Sequence, residues 1–477
     1  MATIDIIIFA VYFLLMLSVG YYFLHKNEDE RDYYTGGGDM KPGHVGLSVV
    51  ATDVGGGFSI GLGGLGFTMG LSGSWLLFTG LIGAWISAAL LIPKVFDWQK
   101  KHGRHFLTLP QVFGFLYNKN VAYVAAIISI VGYTGFTSSQ LLAGAKLTSA
   151  TFPELTIQQM LWIMGGIAVL YTMMGGMKAV IYTDTVQWIV LLVGLMGVAI
   201  PMSWIALGGL DGIKPYIDND MLRLNNITWQ DILNWAVTII PIWFVGMTLY
   251  QRIFACKDVK NAKRAWYIAG VLEWPFMAFT GVALGLLAKV AILQGVVSVP
   301  GGGMLTDSEL GLPLLIKSIL PAGVTGLVLA AYFSAVLSTA DSCLMAASGS
   351  VVGDLVPSKR KGQHKSVVRF SQISTLLIGV FAILLASIME NVLELMLYAY
   401  AFMVSGLCVP IVAAIFLKKR YPQPAIVSMV LGGAITITLI ISEMDLPYGL
   451  DANIFGLSAA AISYVLIHMV YLRIKKG

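Results

Sequence analysis

Residues 51–64 read Ala51-Thr52-Asp53-Val54-Gly55-Gly56-Gly57-Phe58-Ser59-Ile60-Gly61-Leu62-Gly63-Gly64, with six glycines in the ten residues from Gly55 and a single carboxylate in an otherwise apolar stretch. Glycine costs about 1 kcal/mol against alanine inside a helix. Six together predict a helix that unwinds in its middle and frees backbone oxygens. Small-residue packing of the Gly-x-x-x-Gly kind is the other reading of the same glycines. It leaves Asp53 unexplained, because an ionisable side chain at membrane depth costs at least about 2.5 kcal/mol.

Around this stretch the chain is apolar to a degree no soluble domain matches. Of 477 residues, 57% are hydrophobic and 12% charged, against roughly 25% charged in an ordinary globular protein. About 20 apolar residues cross a bilayer as a helix. In that unit thirteen spans are expected, at 3–24, 45–70, 73–93, 121–148, 158–174, 180–207, 231–252, 265–292, 316–350, 369–388, 391–417, 425–442 and 453–472. The ninth is too long for one perpendicular helix, so it either tilts or contains an interfacial turn near Leu320, Pro321 and Gly323. The first is expected to be a true span rather than a secretory signal, since Met1 to Asp5 holds no basic residue.

Threading the spans with the N-terminus outside and the C-terminus inside puts 25 of the 30 basic residues on the inner face, the bias that orients membrane proteins. The net charge of +5 is therefore assigned to membrane topology, and no nucleic-acid partner is expected. Cys256, Cys343 and Cys408 are too far apart for a Cys-x-x-Cys cluster and odd in number, which argues against a disulfide framework. The polar connections are short, so the whole of 1–477 reads as one transmembrane domain. No phosphate-cradling G-x-x-x-x-G-K-[ST] loop is present to drive it with nucleotide.

Pro241 and Gly246 interrupt the seventh span, five spans after the glycine-rich one. That spacing predicts two five-helix halves, 45–207 and 231–417, with one extra helix before them (3–24) and two after (425–472). Transporters built from inverted repeats hold their ligands at the midplane between such interrupted helices. A simple proline kink is the alternative for Pro241. Asp53, Asp184, Asp341 and Glu273 fall at membrane depth; Glu273, beside Trp274 and Pro275, receives no role, nor does Glu394. In the ninth span Ser334, Ser338, Asp341 and Ser342 follow at i, i+4, i+7 and i+8, with Thr339 at the margin of that face. Hydroxyls and carbonyls are hard oxygen ligands suited to Na⁺ or another hard cation, although Ser and Thr also bond back to the carbonyl one turn earlier. No nucleophile and base share a face, so an enzyme is not expected.

With these residues in place the chain resembles the sodium/solute symporters, the family of bacterial proline, galactose and sialic acid carriers. The resemblance covers nearly the whole length and is carried by the glycine-rich second span, by Gly175-Gly176-Met177-Lys178-Ala179-Val180-Ile181-Tyr182-Thr183-Asp184-Thr185-Val186-Gln187, and by Ala335-Val336-Leu337-Ser338-Thr339-Ala340-Asp341-Ser342. It implies an all-α membrane protein of thirteen transmembrane helices with LeuT-type inverted repeats. It also implies sodium-coupled import of a small polar organic solute, an amino acid or similar metabolite, by alternating access across the cytoplasmic (inner) membrane.

By position, the family's shared sodium site would use the carbonyls of Ala51, Val54 and Ala335 with the hydroxyls of Ser338 and Thr339. A further sodium site of some members maps to Asp184, Ser338, Asp341 and Ser342, with Asp341 replacing a serine of the sialic acid carriers. The solute pocket would draw on Asp53, Gly57, Phe58, Trp75, Gln140, Trp243, Phe244, Tyr398 and Phe402. Gly57 stands where proline carriers have a tryptophan, so proline specificity does not follow. The implied partners are the solute, sodium ions and the lipid bilayer, with no obligate protein partner. A proton-coupled carrier of the same fold, using Asp341 or Asp184, and a passive channel are the competing readings; the sequence offers no repeated filter for the channel.

Overall fold

In hydrocarbon every backbone N–H and C=O must be paired within the protein, which leaves helices as the economical solution for so apolar a chain. The computed structural model describes residues 3–24, 36–103, 105–152, 154–172, 177–299, 303–355 and 364–474. Among them the chain is helical throughout and holds no β-strand, only a lone bridge between Met40 and Cys256.

The helices are α1 Thr3–Leu24, α2 Pro42–Asp53, α3 Gly55–Met69, α4 Trp75–His102, α5 Leu109–Leu116, α6 Lys119–Thr151, α7 Ile157–Thr172, α8 Met177–Leu192, α9 Ile200–Ala206, α10 Gly209–Ile213, α11 Trp229–Val245, α12 Met247–Ala255, α13 Val259–Val271, α14 Ala278–Leu293, α15 Gly311–Ile319, α16 Val324–Ser350, α17 His364–Ala386, α18 Val392–Phe416, α19 Pro422–Ser442 and α20 Ala452–Ile474. Among the described residues eight helical runs are long and apolar enough to cross a membrane, or nine if α11 and α12, bent by 44°, count as one. One of the eight, Gly55–His102, contains α3 and α4 joined through the tight turn Gly70–Ser74. Gly70 has φ +73 there, and a Cβ on it would collide with the Met221 backbone.

The most enclosed run is Val324–Leu355, 94% of its central window buried, against 22% for Ala452–Ile474. α16 is thus the axis of the molecule, and α20 is peripheral. Leu14 and Leu15 on α1, Leu377 and Phe381 on α17, and Ile462 on α20 are exposed. Contiguous apolar surface of this kind suits lipid rather than water.

The structure departs from the expected spans in several places, among them the eighth, interrupted at Leu272–Met277. The long ninth span divides at Leu320–Gly323 into α15 and α16, the interfacial-turn alternative. α4 runs nine residues past the expected end at residue 93 and closes on Gly103 in the left-handed region. The short α5 lies within a connection that looked merely polar. Several residues used in the sequence reading fall outside the described residues: Lys26, Arg31, Arg104, Lys359, Arg360, Lys361, Lys475, Lys476, Gly175 and Gly176, together with the side chains of Lys178, Lys365 and Arg369.

Candidate functional site

α2 ends at Asp53 and α3 starts at Gly55, with Val54 between them still near helical geometry and Gly55 at φ +48. A Cβ on Gly55 would stand 2.5 Å from Thr339 Oγ1, so glycine is required here both for its conformation and for its size. The expected long unwound stretch is therefore corrected to a joint of one or two residues. The glycines beyond it stay wound and serve close packing: Gly56 lies against Val336, Gly57 against Gln140, Gly61 against Leu393 and Gly63 against Leu312. Both readings of the glycine run hold, each for a different part of it.

A helix end leaves its last carbonyls and its first N–H groups without partners in the helix. At this joint the Ala51 carbonyl accepts the Thr339 hydroxyl at 2.9 Å, and the Gly57 N–H donates to Gln140 Oε1 at 3.0 Å. Thr339 Oγ1 also lies 3.0 Å from the Ala335 carbonyl. A hydroxyl has one proton and can satisfy only one of these carbonyls at a time. The Ala335 carbonyl also accepts the Thr339 N–H of its own helix, whereas the Ala51 carbonyl belongs to the last turn of α2; hard oxygens gathered in this way suit a monovalent cation. Val54 offers its carbonyl to Phe58 N–H at 3.1 Å, which leaves one lone pair free.

The second joint, between α11 and α12, turns at Gly246, whose ψ of 112° leaves the helical region. There the Thr248 N–H donates to Tyr133 Oη at 3.1 Å. Tyr133 and Gln140 are seven residues apart on α6 and so lie on one face of it. One helix therefore caps the starts of both halves that follow a break. The sequence reading chose Gln140 and missed Tyr133; the i, i+7 pair of polar residues on an apolar helix was the available signal.

Ser338 turns away from Ala51 and donates to Asp184. Asp184 also accepts from Ser48 Oγ and lies 3.6 Å from Arg252 Nη2. Arg252 is fully buried. Its guanidinium donates to Ser48 Oγ at 3.1 Å, to the Thr248 carbonyl at 3.2 Å, to Thr52 Oγ1 at 2.5 Å and to Ser342 Oγ at 3.0 Å. Asp184, Ser338 and Ser342 are thus brought together as expected, but around a cation the chain itself supplies. The side chain of Asp341 neighbours Thr172 and also lies within electrostatic reach of Asp184 and Arg252. Sequence reading had counted Arg252 toward the inner membrane face, because it closes an apolar run; in the structure every residue of α12 is buried.

Asp53 Oδ1 accepts from Tyr400 Oη at 3.1 Å, and the Tyr400 ring lies 6.2 Å from Phe58 and 4.9 Å from Phe136. Asp53, Gly57, Phe58 and Gln140 form one neighbourhood. Tyr398 and Phe402 do not join it. Tyr398 donates to Glu394 and lines a cavity of about 460 Å³ with Gly61, Leu393 and Asp451, while Phe402 faces Gly433. Two residues along a helix is a rotation of roughly 200°, so Tyr400 faces the joint where the flanking aromatics cannot. Trp75 is tied to the Leu224 carbonyl at 2.7 Å. Trp243 packs between Gly83 and Trp266, and Phe244 offers its carbonyl to Tyr250 at 3.0 Å. These contacts lie on elements other than that of Asp53.

The family model described as "Sodium:solute symporter family" matches residues 33–432. The osmoregulated proline transporter of Bacillus subtilis (strain 168) is 27% identical over 100% of this chain and 96% of the relative. The sodium/myo-inositol cotransporter 2 of Sus scrofa is 28% identical over 90% of this chain and 68% of its own length. Among solved structures, a substrate-bound outward-open state of a Na⁺-coupled sialic acid symporter superposes with a TM-score of 0.78 at 20% identity, covering 98% of this chain and 97% of that one.

Proposed function

The chain belongs to the sodium:solute symporter family, and from that premise we propose that it imports a small polar organic solute by alternating access, driven by sodium bound where α2, α3 and α16 meet. It is a membrane-embedded secondary transporter, not an enzyme, and sodium is the coupling ion that its family implies. The observation that carries the proposal is the Thr339 hydroxyl lying 2.9 Å from the Ala51 carbonyl and 3.0 Å from the Ala335 carbonyl, two oxygens from different helices that its one proton cannot both satisfy. A sodium ion there draws on the same carbonyls, on Val54, and on Ser338 once its hydroxyl swings from Asp184.

The thirteen-span arrangement, with two five-helix repeats at 45–207 and 231–417, an extra helix before and two after, belongs to the same proposal. So do an N-terminus outside, a C-terminus inside and residence in the inner membrane of a bacterium. Supporting it are the two broken helices, one early in each half, and the lipid-facing apolar surfaces of α1, α17 and α20. The solute pocket of this proposal is the neighbourhood of Asp53, Gly57, Phe58 and Gln140, with Tyr400 added. Binding of sodium at the joint fixes the α2–α3 angle and with it the position of Asp53, a coupling that typically amounts to about 1–3 kcal/mol in each direction. A second sodium at Asp184, Asp341 and Ser342 would have to share its ligands with Arg252.

A thermal-stability screen of amino acids, polyols and organic acids, run in NaCl and in KCl, tests this function. The expected result is a solute that stabilises the purified protein in sodium and far less in potassium. Uptake into sodium-free vesicles driven by a pH gradient would overturn sodium coupling in favour of a proton-coupled carrier.

A further inference from the structure

Glu273 has no part in the site described so far. It lies in the interrupted segment Leu272–Met277 between α13 and α14, next to Trp274, whose φ of −136° and ψ of 122° leave the helical region. Its side chain is fully buried, pressed against Gly80 of α4, and it faces the carboxyl group of Asp53. Neither carboxylate oxygen of Glu273 receives a hydrogen bond from a donor. Asp53 receives one, from Tyr400. Two carboxyls from two different helix breaks thus meet in a closed interior.

Burying a carboxylate requires a counter-charge or a proton. The other buried basic groups among the described residues are committed elsewhere: Arg252 to Asp184, Lys146 to Asp307 and Glu309, and His468 between Tyr421 and Tyr464. One proton shared by the pair leaves a single negative charge for a ligand to meet. Sodium is served by the hard oxygens around Thr339, whereas Asp53 is met by the Tyr400 hydroxyl, and the Tyr400 ring packs on Phe58 and Phe136. Such apolar rings suit the carbon skeleton of an organic cation, which a bare metal ion lacks.

We propose that Asp53 and Glu273 together hold a protonated amine of the transported solute, so that the substrate class is small amine-bearing molecules and Glu273 is a specificity-determining residue. This rests on the reading of the Asp53 neighbourhood as the solute pocket.

The test is ligand-induced thermal stabilisation of the purified full chain in NaCl, with probes paired by skeleton. The pairs are L-proline and tetrahydrofuroate, γ-aminobutyrate and butyrate, putrescine and butanediol, with myo-inositol and N-acetylneuraminate as amine-free controls. At least one amine is expected to stabilise with an affinity about thirtyfold or more above that of its amine-free partner, the size expected when a buried charge loses its mate. In Glu273→Gln that preference should fall about tenfold or more, while the sodium half-point measured without solute stays put. Equal stabilisation by amine and amine-free partners, stabilisation by the controls alone, or no response to any amine overturns the proposal. The paired comparison in the natural chain decides even where Glu273→Gln does not fold. A sodium response that survives alongside any of these results leaves the sodium site standing and removes only the amine.

Discussion

Two polar pockets flank the same eight residues of α16 and are built on opposite principles. On one side Thr339 gathers neutral oxygens, the carbonyls of Ala51 and Ala335, and offers them a single hydroxyl proton. On the other, Ser338 and Ser342 lean into an ion pair, Asp184 with Arg252, in which the guanidinium donates to five neighbouring oxygens. The first pocket is the one proposed to take the coupling cation. The second carries its cation permanently. A helix that must rearrange during transport needs both, a fixed anchor and a site whose occupancy changes its stability.

Removing the anchor should have the largest effect. Arg252→Gln leaves Asp184 buried without its partner, and breaking such a pair costs about 3–5 kcal/mol. Yield and thermal midpoint should drop together, and adding Asp184→Asn should recover part of the loss. An Arg252→Gln protein as stable as the natural one would mean that the pair is not the anchor.

Changing the joint should abolish the sodium response with a smaller loss of stability. Gly55→Ala places a Cβ against Thr339 in a backbone conformation that costs an L-residue roughly 1–2 kcal/mol. Sodium-dependent stabilisation should vanish while the protein still folds; if it persists at the natural sodium concentration, the joint is not where sodium binds. A smaller change is expected from Tyr400→Phe, which removes one hydrogen bond to Asp53 and should weaken solute binding by about 1 kcal/mol. Tyr398→Phe, on the opposite face of α18, should leave solute binding unaltered, and the two tyrosines together report whether the face is assigned correctly. The smallest effect belongs to Ser342→Ala. It removes one of several contacts of Arg252 and should leave the sodium half-point unmoved, as a titration of thermal stability would show.

How much of this the sequence disclosed depended on whether a signal was local. The broken helices were visible because glycine and proline act through their own backbone, and the Gly55 joint falls within the stretch where it was expected. The hydroxyl face of α16 was visible as a helical period. Which hydroxyl met which partner was not, since Ser338 and Thr339 are neighbours in the chain and point to different pockets. That Arg252 is buried was not legible, because a basic residue at the end of an apolar run usually marks the membrane surface, and only the packing of α12 against α2 and α16 makes it internal. Tyr398 and Phe402 were chosen over Tyr400 for want of any sequence signal to set the rotation of a helix that is apolar on every side. Glu273 was noticed as an ionisable group at depth, but its partner comes from a helix more than two hundred residues earlier.

The most direct measurement is a sodium titration of thermal stability, at constant ionic strength with potassium as the replacement, on the natural chain and on Thr339→Ala. The natural chain should be stabilised by sodium and not by potassium, and Thr339→Ala should need about tenfold more sodium for the same effect, a loss of about 1.4 kcal/mol. An unchanged half-point in Thr339→Ala, with the sodium response intact, would contradict the assignment of the coupling ion to the junction of α2, α3 and α16.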